Sequence, residues 1–166
     1  MKKNKTHIII LIFVFIFLKF LFSIANVDEI RFVLYPVSKT IDFITNTKSI
    51  YLINKGFFNS NLNFIINKSC SGINFFILFF ICVSFRLSIL KKQLPLYKNL
   101  FFSSVFSLCI TYIANTSRIL CSINLPSEIT LDPKITHQII GTGVYFFFLL
   151  FFYLLFDYSL KNKFIK

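Results

Sequence analysis

Residues 73–90 read INFFILFFICVSFRLSIL, an apolar run in which Arg86 is the single charge. A helix needs about 20 such residues to cross a hydrocarbon core of about 30 Å. Three further stretches of the same character lie outward from it, at 7–25, 100–122 and 139–158. The chain of 166 residues is 56% hydrophobic and 14% charged, with a mean hydropathy of +0.75. A soluble domain with a solvated surface does not carry that composition. The expected fold class is therefore an all-α membrane protein of about four transmembrane helices, a single integral domain over 1–166, with an extracytoplasmic amphipathic and hairpin segment between the first and second spans.

Phenylalanine is abundant, 25 copies against no tryptophan. Its spread over every apolar stretch fits the codon bias of an AT-rich genome better than an aromatic site on one face. The formal charge of +12 raises nucleic acid as a partner. That partner is excluded, because the lysines cluster at the ends of spans and no soluble basic domain exists to hold a duplex.

The charges also orient the chain. Lys2, Lys3 and Lys5 precede the first span and hold the N-terminus in the cytoplasm. Alternation then leaves Arg86, Lys91, Lys92, Lys98, Lys161, Lys163 and Lys166 inside in short flanks, so that ten of the eighteen basic residues are cytoplasmic. Arg31, Lys39, Lys48, Lys55, Lys68 and Lys134 are diluted outside with Asp28, Glu29, Asp42, Glu128 and Asp132. Both termini are thus expected inside a cell membrane. Ser23-Ile24-Ala25 has the small-residue spacing of a signal-peptidase site, but the apolar stretch runs past Lys19 and is long for a signal core, so retention as an anchor is preferred.

Between the first two spans Ile30, Val33, Leu34, Val37, Ile41 and Ile44 recur at helical spacing around Pro36. They read as an amphipathic helix lying in the membrane interface. Residues 50–53 and 62–66 are short β-prone runs around Lys55-Gly56 and Asn59-Ser60-Asn61, and read as a small outer hairpin.

Charge within lipid is costly. Lys19, late in the first span, reads as a side chain snorkelling to the outer headgroups. Arg118 lies about one turn from the outer end of the third span, with Asn115 one turn before it on the same face, which suits a polar cavity better than lipid. Cys70 opens the second span and His137 the fourth at equivalent depth, so three helices present Cys, Arg and His at one membrane face. His7, the other histidine, lies at the opposite face. A thiol at a helix N-terminus has its thiolate favoured by the dipole. A histidine moves the thiol proton or protonates a leaving amine, and a guanidinium holds an oxyanion, a role worth about 3 kcal/mol of barrier. Gly141, one turn after His137, and Gly143 permit close helix approach.

Of the other cysteines, Cys82 and Cys109 read as small apolar packing residues in mid-span. Cys121 shares the outer face with Cys70, so a Cys70–Cys121 disulfide is the rival use of the same thiol in an oxidising compartment. No cofactor or metal is expected, since there is no CxxC, no HxxxH and no convergent carboxylate.

At these residues the chain resembles the exosortase/archaeosortase family of membrane transpeptidases, as a short form akin to the exosortase K subtype. The resemblance rests on SCSGINFF around Cys70, with Ser71 and Gly72 following the cysteine, on NTSRI from Asn115 to Ile119, and on HQIIG from His137 to Gly141. It covers roughly residues 27–157. The family's usual core has more spans, and Gln138 stands where an acidic residue is often found. The resemblance implies a cysteine protease-transpeptidase whose partners are exported proteins ending in a short motif, a hydrophobic helix and a basic tail. It implies Cys70 as nucleophile, Arg118 as oxyanion holder and His137 as general acid/base, with Asn115, Ser71, Gly72 and Gly141 in support. A thioester would pass to an acceptor nucleophile on a surface polymer or lipid. Two other classes are weighed: a quinone-linked thiol-disulfide oxidoreductase, which needs paired external cysteines, and a non-enzymatic secretion or assembly subunit.

Overall fold

The computed structural model describes the backbone of residues 2–90, 94–124 and 133–162, and the side chains of 6–90, 94–124 and 138–161. Among these residues run the helices α1 (Lys2–Ile24), α2 (Arg31–Thr45), α3 (Ile73–Leu90), α4 (Leu96–Ile123) and α5 (Pro133–Asn162). A small sheet lies between α2 and α3 in the chain, formed by β1 (Ser49–Leu52), β2 (Gly56–Asn59) and β3 (Phe64–Ile66). α1, α3, α4 and α5 are long and apolar enough to cross a membrane, and the chain is an all-α multi-pass membrane protein. α1 leaves Ile9, Phe13, Ile16 and Phe20 more than half exposed, as α5 does Phe146, Phe147 and Leu154. Apolar rows of that extent are stable against acyl chains and unstable against water.

The helices extend beyond the apolar runs that reveal them. α4 begins four residues before position 100, because the Pro95 carbonyl accepts the Asn99 N–H at 3.1 Å and closes the first turn there. α5 begins at Pro133, six residues before position 139. Proline fits a first helical position, where the N–H it lacks would have no intrahelical acceptor. The expected Lys91-Lys92 flank and the loop at 125–132 lie outside the described residues.

The chain divides into two compact units, one of Met1–Ser23, Ile73–Thr111 and Phe147–Lys166, the other of Ile24–Gly72 and Tyr112–Phe146. In the first, a buried polar ladder joins α3 to α4. Asn99 Nδ2 donates to the Ser84 carbonyl at 3.1 Å and to Ser88 Oγ at 2.7 Å, and Ser103 Oγ donates to Asn99 Oδ1 at 3.1 Å. Lipid chains remove the hydrophobic drive between helices, so small side chains and hydrogen bonds of about 0.6 kcal/mol each carry the association. Arg86 on α3 pairs with Asp157 on α5, which also takes Lys161 Nζ at 2.9 Å. Lys19 donates to Asn74 Oδ1 on α3 at 2.7 Å, a protein partner where sequence gave only headgroups. Cys82 is half-buried, but Cys109 is exposed, so it faces outward and does not pack inside as expected.

In the second unit α2 lies on β1 and β2. Leu34, Val37 and Ile41 are buried with Phe57 and Ile66, each contributing about 1.5–3 kcal/mol if taken from water. The apolar face expected to meet the membrane interface is therefore turned into the protein. Asp42 on α2, 8% exposed, accepts the Ser49 N–H at 3.0 Å and Ser49 Oγ at 2.6 Å, with Asn59 Nδ2 at 3.3 Å, and so ties helix to sheet. The expected hairpin is a three-stranded antiparallel meander in the order β1-β2-β3. Its central strand is the segment read as connecting turns, with Phe57 opposite both Tyr51 and Ile66. Four residues beginning at a glycine are too few for an alternation to stand out, and cross-strand pairing on both edges stabilises the strand instead.

Candidate functional site

Every described residue of the candidate site belongs to the second unit. Asn67 is extended, and its Oδ1 accepts the Ser69 N–H at 3.0 Å and Ser69 Oγ at 2.7 Å, starting a 3₁₀ turn over Lys68–Cys70. The Cys70 N–H donates to the Asn67 carbonyl at 2.9 Å and the Ser71 N–H to the Lys68 carbonyl at 3.2 Å. Gly72 then takes φ +73, a left-handed conformation that turns the chain into α3 without a Cβ penalty. Ser71 is 3% exposed and follows the turn as its cap. Cys70 therefore opens the second span, Lys68–Leu90, as expected, but from a turn three positions before α3, and the field of the α3 dipole is weaker there because it falls off within the first turn.

α4 grips this turn from the side. Asn115 Nδ2 donates to the Cys70 carbonyl at 2.6 Å, and Arg118 Nη1 to the Ser69 carbonyl at 3.0 Å. The peptide groups on both sides of the Cys70 Cα are thus anchored. Asn115 is 1% and Arg118 8% exposed, so both donors are buried, and the bond to the Cys70 carbonyl is buried at both ends. α5 closes the clamp with a residue that sequence reasoning missed. Tyr145 Oη donates to Asn115 Oδ1 at 2.7 Å and accepts from Arg118 Nη1 at 3.2 Å, while the guanidinium carbon lies 5.1 Å from the ring centroid. A signal existed, since His137, Gly141 and Tyr145 recur at i, i+4 and i+8, one stripe of a helix.

Gly141 has a definite purpose in this arrangement. A Cβ built on it would stand 2.6 Å from Arg118 Nε and 3.2 Å from Cζ, so the guanidinium occupies the space a side chain would need. Among the described residues Gly143 meets nothing within 4 Å, so the close approach expected there is not found among them. No family model, curated protein or solved structure matches this chain.

Cys70 as a whole is 3% exposed. Its Sγ lies 3.8 Å from Ser69 Oγ and 4.0 Å from the Ile65 carbonyl. Ser69 and Ile65 also line an open cleft of about 360 Å³ together with Lys55, Asn67 and Lys68, so the thiol sits behind one wall of that cleft. Lys68 Nζ donates to the Ala25 carbonyl at 2.6 Å and fixes the end of the wall. Cys121 is exposed and free, as Cys70 is free, so the rival disulfide is not formed. His137 is the fifth residue of α5, one turn before Gly141 and immediately before the apolar span Gln138–Lys161; its side chain lies outside the described residues. Among the described residues no three His, Cys, Asp or Glu side chains converge for a metal.

Beside the cleft, Asp28 accepts hydrogen bonds from Tyr51 Oη and from the Asn54 N–H at 3.1 Å. The bond from Tyr51 is the main cause holding the Asp28 carboxyl below its ordinary range, and the same bond pushes the Tyr51 phenol up.

Proposed function

We propose that the chain is a membrane-embedded cysteine protease-transpeptidase of the exosortase type, with its site at the extracytoplasmic face of a cell membrane and both termini in the cytoplasm. The observation that carries the reading is the grip of Asn115 and Arg118 on the two peptide groups flanking Cys70, buttressed by Tyr145. A nucleophile must be held in register against a scissile bond, and a clamp on both sides of its Cα supplies that preorganisation. The orientation is supported by the cytoplasmic excess of lysines.

In this mechanism an exported protein's C-terminal hydrophobic helix lies beside the four spans, and its motif enters the cleft next to Ser69. His137 takes the Cys70 proton, and the sulfur attacks the carbonyl carbon. The positive charge of Arg118 stabilises the tetrahedral oxyanion. The C–N bond breaks as His137 returns the proton to the departing amine, leaving a thioester on Cys70. An acceptor nucleophile on a surface polymer or lipid, or water, then resolves it.

The test is cleavage in cells of exported proteins that end in a motif, a hydrophobic helix and a basic tail. Cys70→Ser, Arg118→Ala and His137→Ala are each expected to leave the tail uncut, while Cys82→Ser, Cys109→Ser and Cys121→Ser leave cleavage intact. Normal processing by Cys70→Ser refutes the proposal. One observation favours a second reading, a non-enzymatic assembly subunit: Arg118 and Asn115 direct hydrogen bonds at the protein's own backbone. Cys70→Ser would then be silent, and Arg118→Ala would alter partner copurification with no change in any covalent product.

A further inference from the structure

α2 is apolar on two faces, and the protein covers one of them. At roughly 100° per residue, Phe32, Pro36, Lys39 and Phe43 fall on one outward stripe with Tyr35 beside it, opposite the buried Leu34, Val37 and Ile41. Phe32 is 77%, Tyr35 51% and Phe43 88% exposed. We propose that this aromatic stripe is inserted among the lipids at the edge of the bilayer, so that α2 lies in the membrane by the face opposite to the one its sequence pattern marks.

Depth argues for lipid. Thr40 on α2 is hydrogen-bonded to Tyr112 on α4, and Tyr112 stands eleven residues before Ile123, the last residue of that helix. At 1.5 Å per residue Tyr112 is about 16 Å from the end of a helix about 42 Å long. That length exceeds a hydrocarbon core of about 30 Å by about 12 Å. Even with all the excess projecting beyond this end, Tyr112 stays inside the core. Its neighbours agree, with Ile113 47% and Leu108 55% exposed. A helix bonded to that level is beside acyl chains, and its bare aromatic residues have an apolar medium to enter.

Charge argues the same way. Lys39 lies within the stripe, its Nζ 3.9 Å from Asp42 and 5.7 Å from the Tyr35 ring centroid, and Arg31 stacks 4.1 Å over the Tyr51 ring. Lys48 and Lys55 are exposed on the same unit. Aromatic rings at the acyl boundary with cations reaching the phosphates is the usual division of labour at an anionic membrane surface. The proposal rests on the membrane-spanning helices and stands independently of any catalytic activity.

The chain contains no tryptophan, so Phe43→Trp introduces a sole reporter at an exposed position, and Phe32→Trp a second in a separate variant. Each full-length variant is reconstituted at high lipid-to-protein ratio into vesicles of phosphatidylcholine and phosphatidylglycerol. Blue-shifted emission, strong quenching by lipids brominated on the acyl chain and little quenching by aqueous acrylamide are expected at both positions. Solvent-like emission quenched by acrylamide overturns the proposal. So does blue-shifted emission that brominated lipid leaves unquenched, which would mean a second copy of the chain covers the stripe.

Discussion

Gly141→Ala sets helix propensity against tertiary packing, and the two predict opposite signs. Replacing a glycine inside a helix by alanine favours the helix by about 0.5–1 kcal/mol. The new Cβ, however, would stand 2.6 Å from Arg118 Nε, against a comfortable contact of about 3.5–4.0 Å. The guanidinium must move by roughly 1 Å, and its Nη1 bond to the Ser69 carbonyl, now 3.0 Å, stretches beyond hydrogen-bonding range. A hydrogen bond to a charged group is worth about 1.5–3 kcal/mol, so after the propensity gain the net effect is a loss of about 0.5–2.5 kcal/mol. At about 2–4 °C per kcal/mol for a chain of this size, thermal unfolding of the detergent-solubilised protein, followed by circular dichroism, should shift down by several degrees. Gly143→Ala, two residues away with nothing within 4 Å among the described residues, should raise the midpoint or leave it unchanged. The decisive arm is Arg118→Ala, in which the cost of Gly141→Ala should vanish and the propensity gain reappear. A Gly141→Ala protein as stable as the parent, or a cost that survives without Arg118, refutes the packing argument.

Acidification should loosen the second unit through Asp28: its folded carboxyl titrates below the unfolded one, so its stabilisation is present above the ordinary carboxylate range and lost as pH falls through the folded value. Melting midpoints measured against pH should show a shallower acid limb in Asp28→Asn. Tyr51, raised by the same bond, contributes below the ordinary phenol range and loses that contribution as pH rises through its folded value, so Tyr51→Phe should flatten the alkaline limb. Asp157→Asn should destabilise the protein, because it leaves Arg86 without its carboxylate partner. Chemical unfolding of Arg86→Leu/Asp157→Leu should recover most of that loss. Ser107 is fully buried, and its Oγ has no hydrogen-bond partner among the described residues, so Ser107→Ala should be neutral or stabilising by up to about 1 kcal/mol; a clear loss in a thermal melt would reveal a partner for that hydroxyl.

The sequence alone determined the four spans, because crossing a bilayer is a requirement on length and composition that each segment meets by itself. It also marked Cys70, Asn115, Arg118 and Gly141 as polar or small residues at span ends, where lipid makes an unexplained charge costly. The tertiary structure alone decided how they combine. Tyr145 bridges Asn115 and Arg118 across 30 and 27 residues of chain, a pairing that depends on how α4 and α5 are rotated about their axes. Gly141 and Gly143 look alike in sequence, and the side chain of a different helix distinguishes them. The same holds for α2, whose periodicity correctly marked an apolar face but not what that face would meet. Periodicity records that burial occurs, whereas the partner, sheet or lipid, is set by contacts between segments distant in the chain.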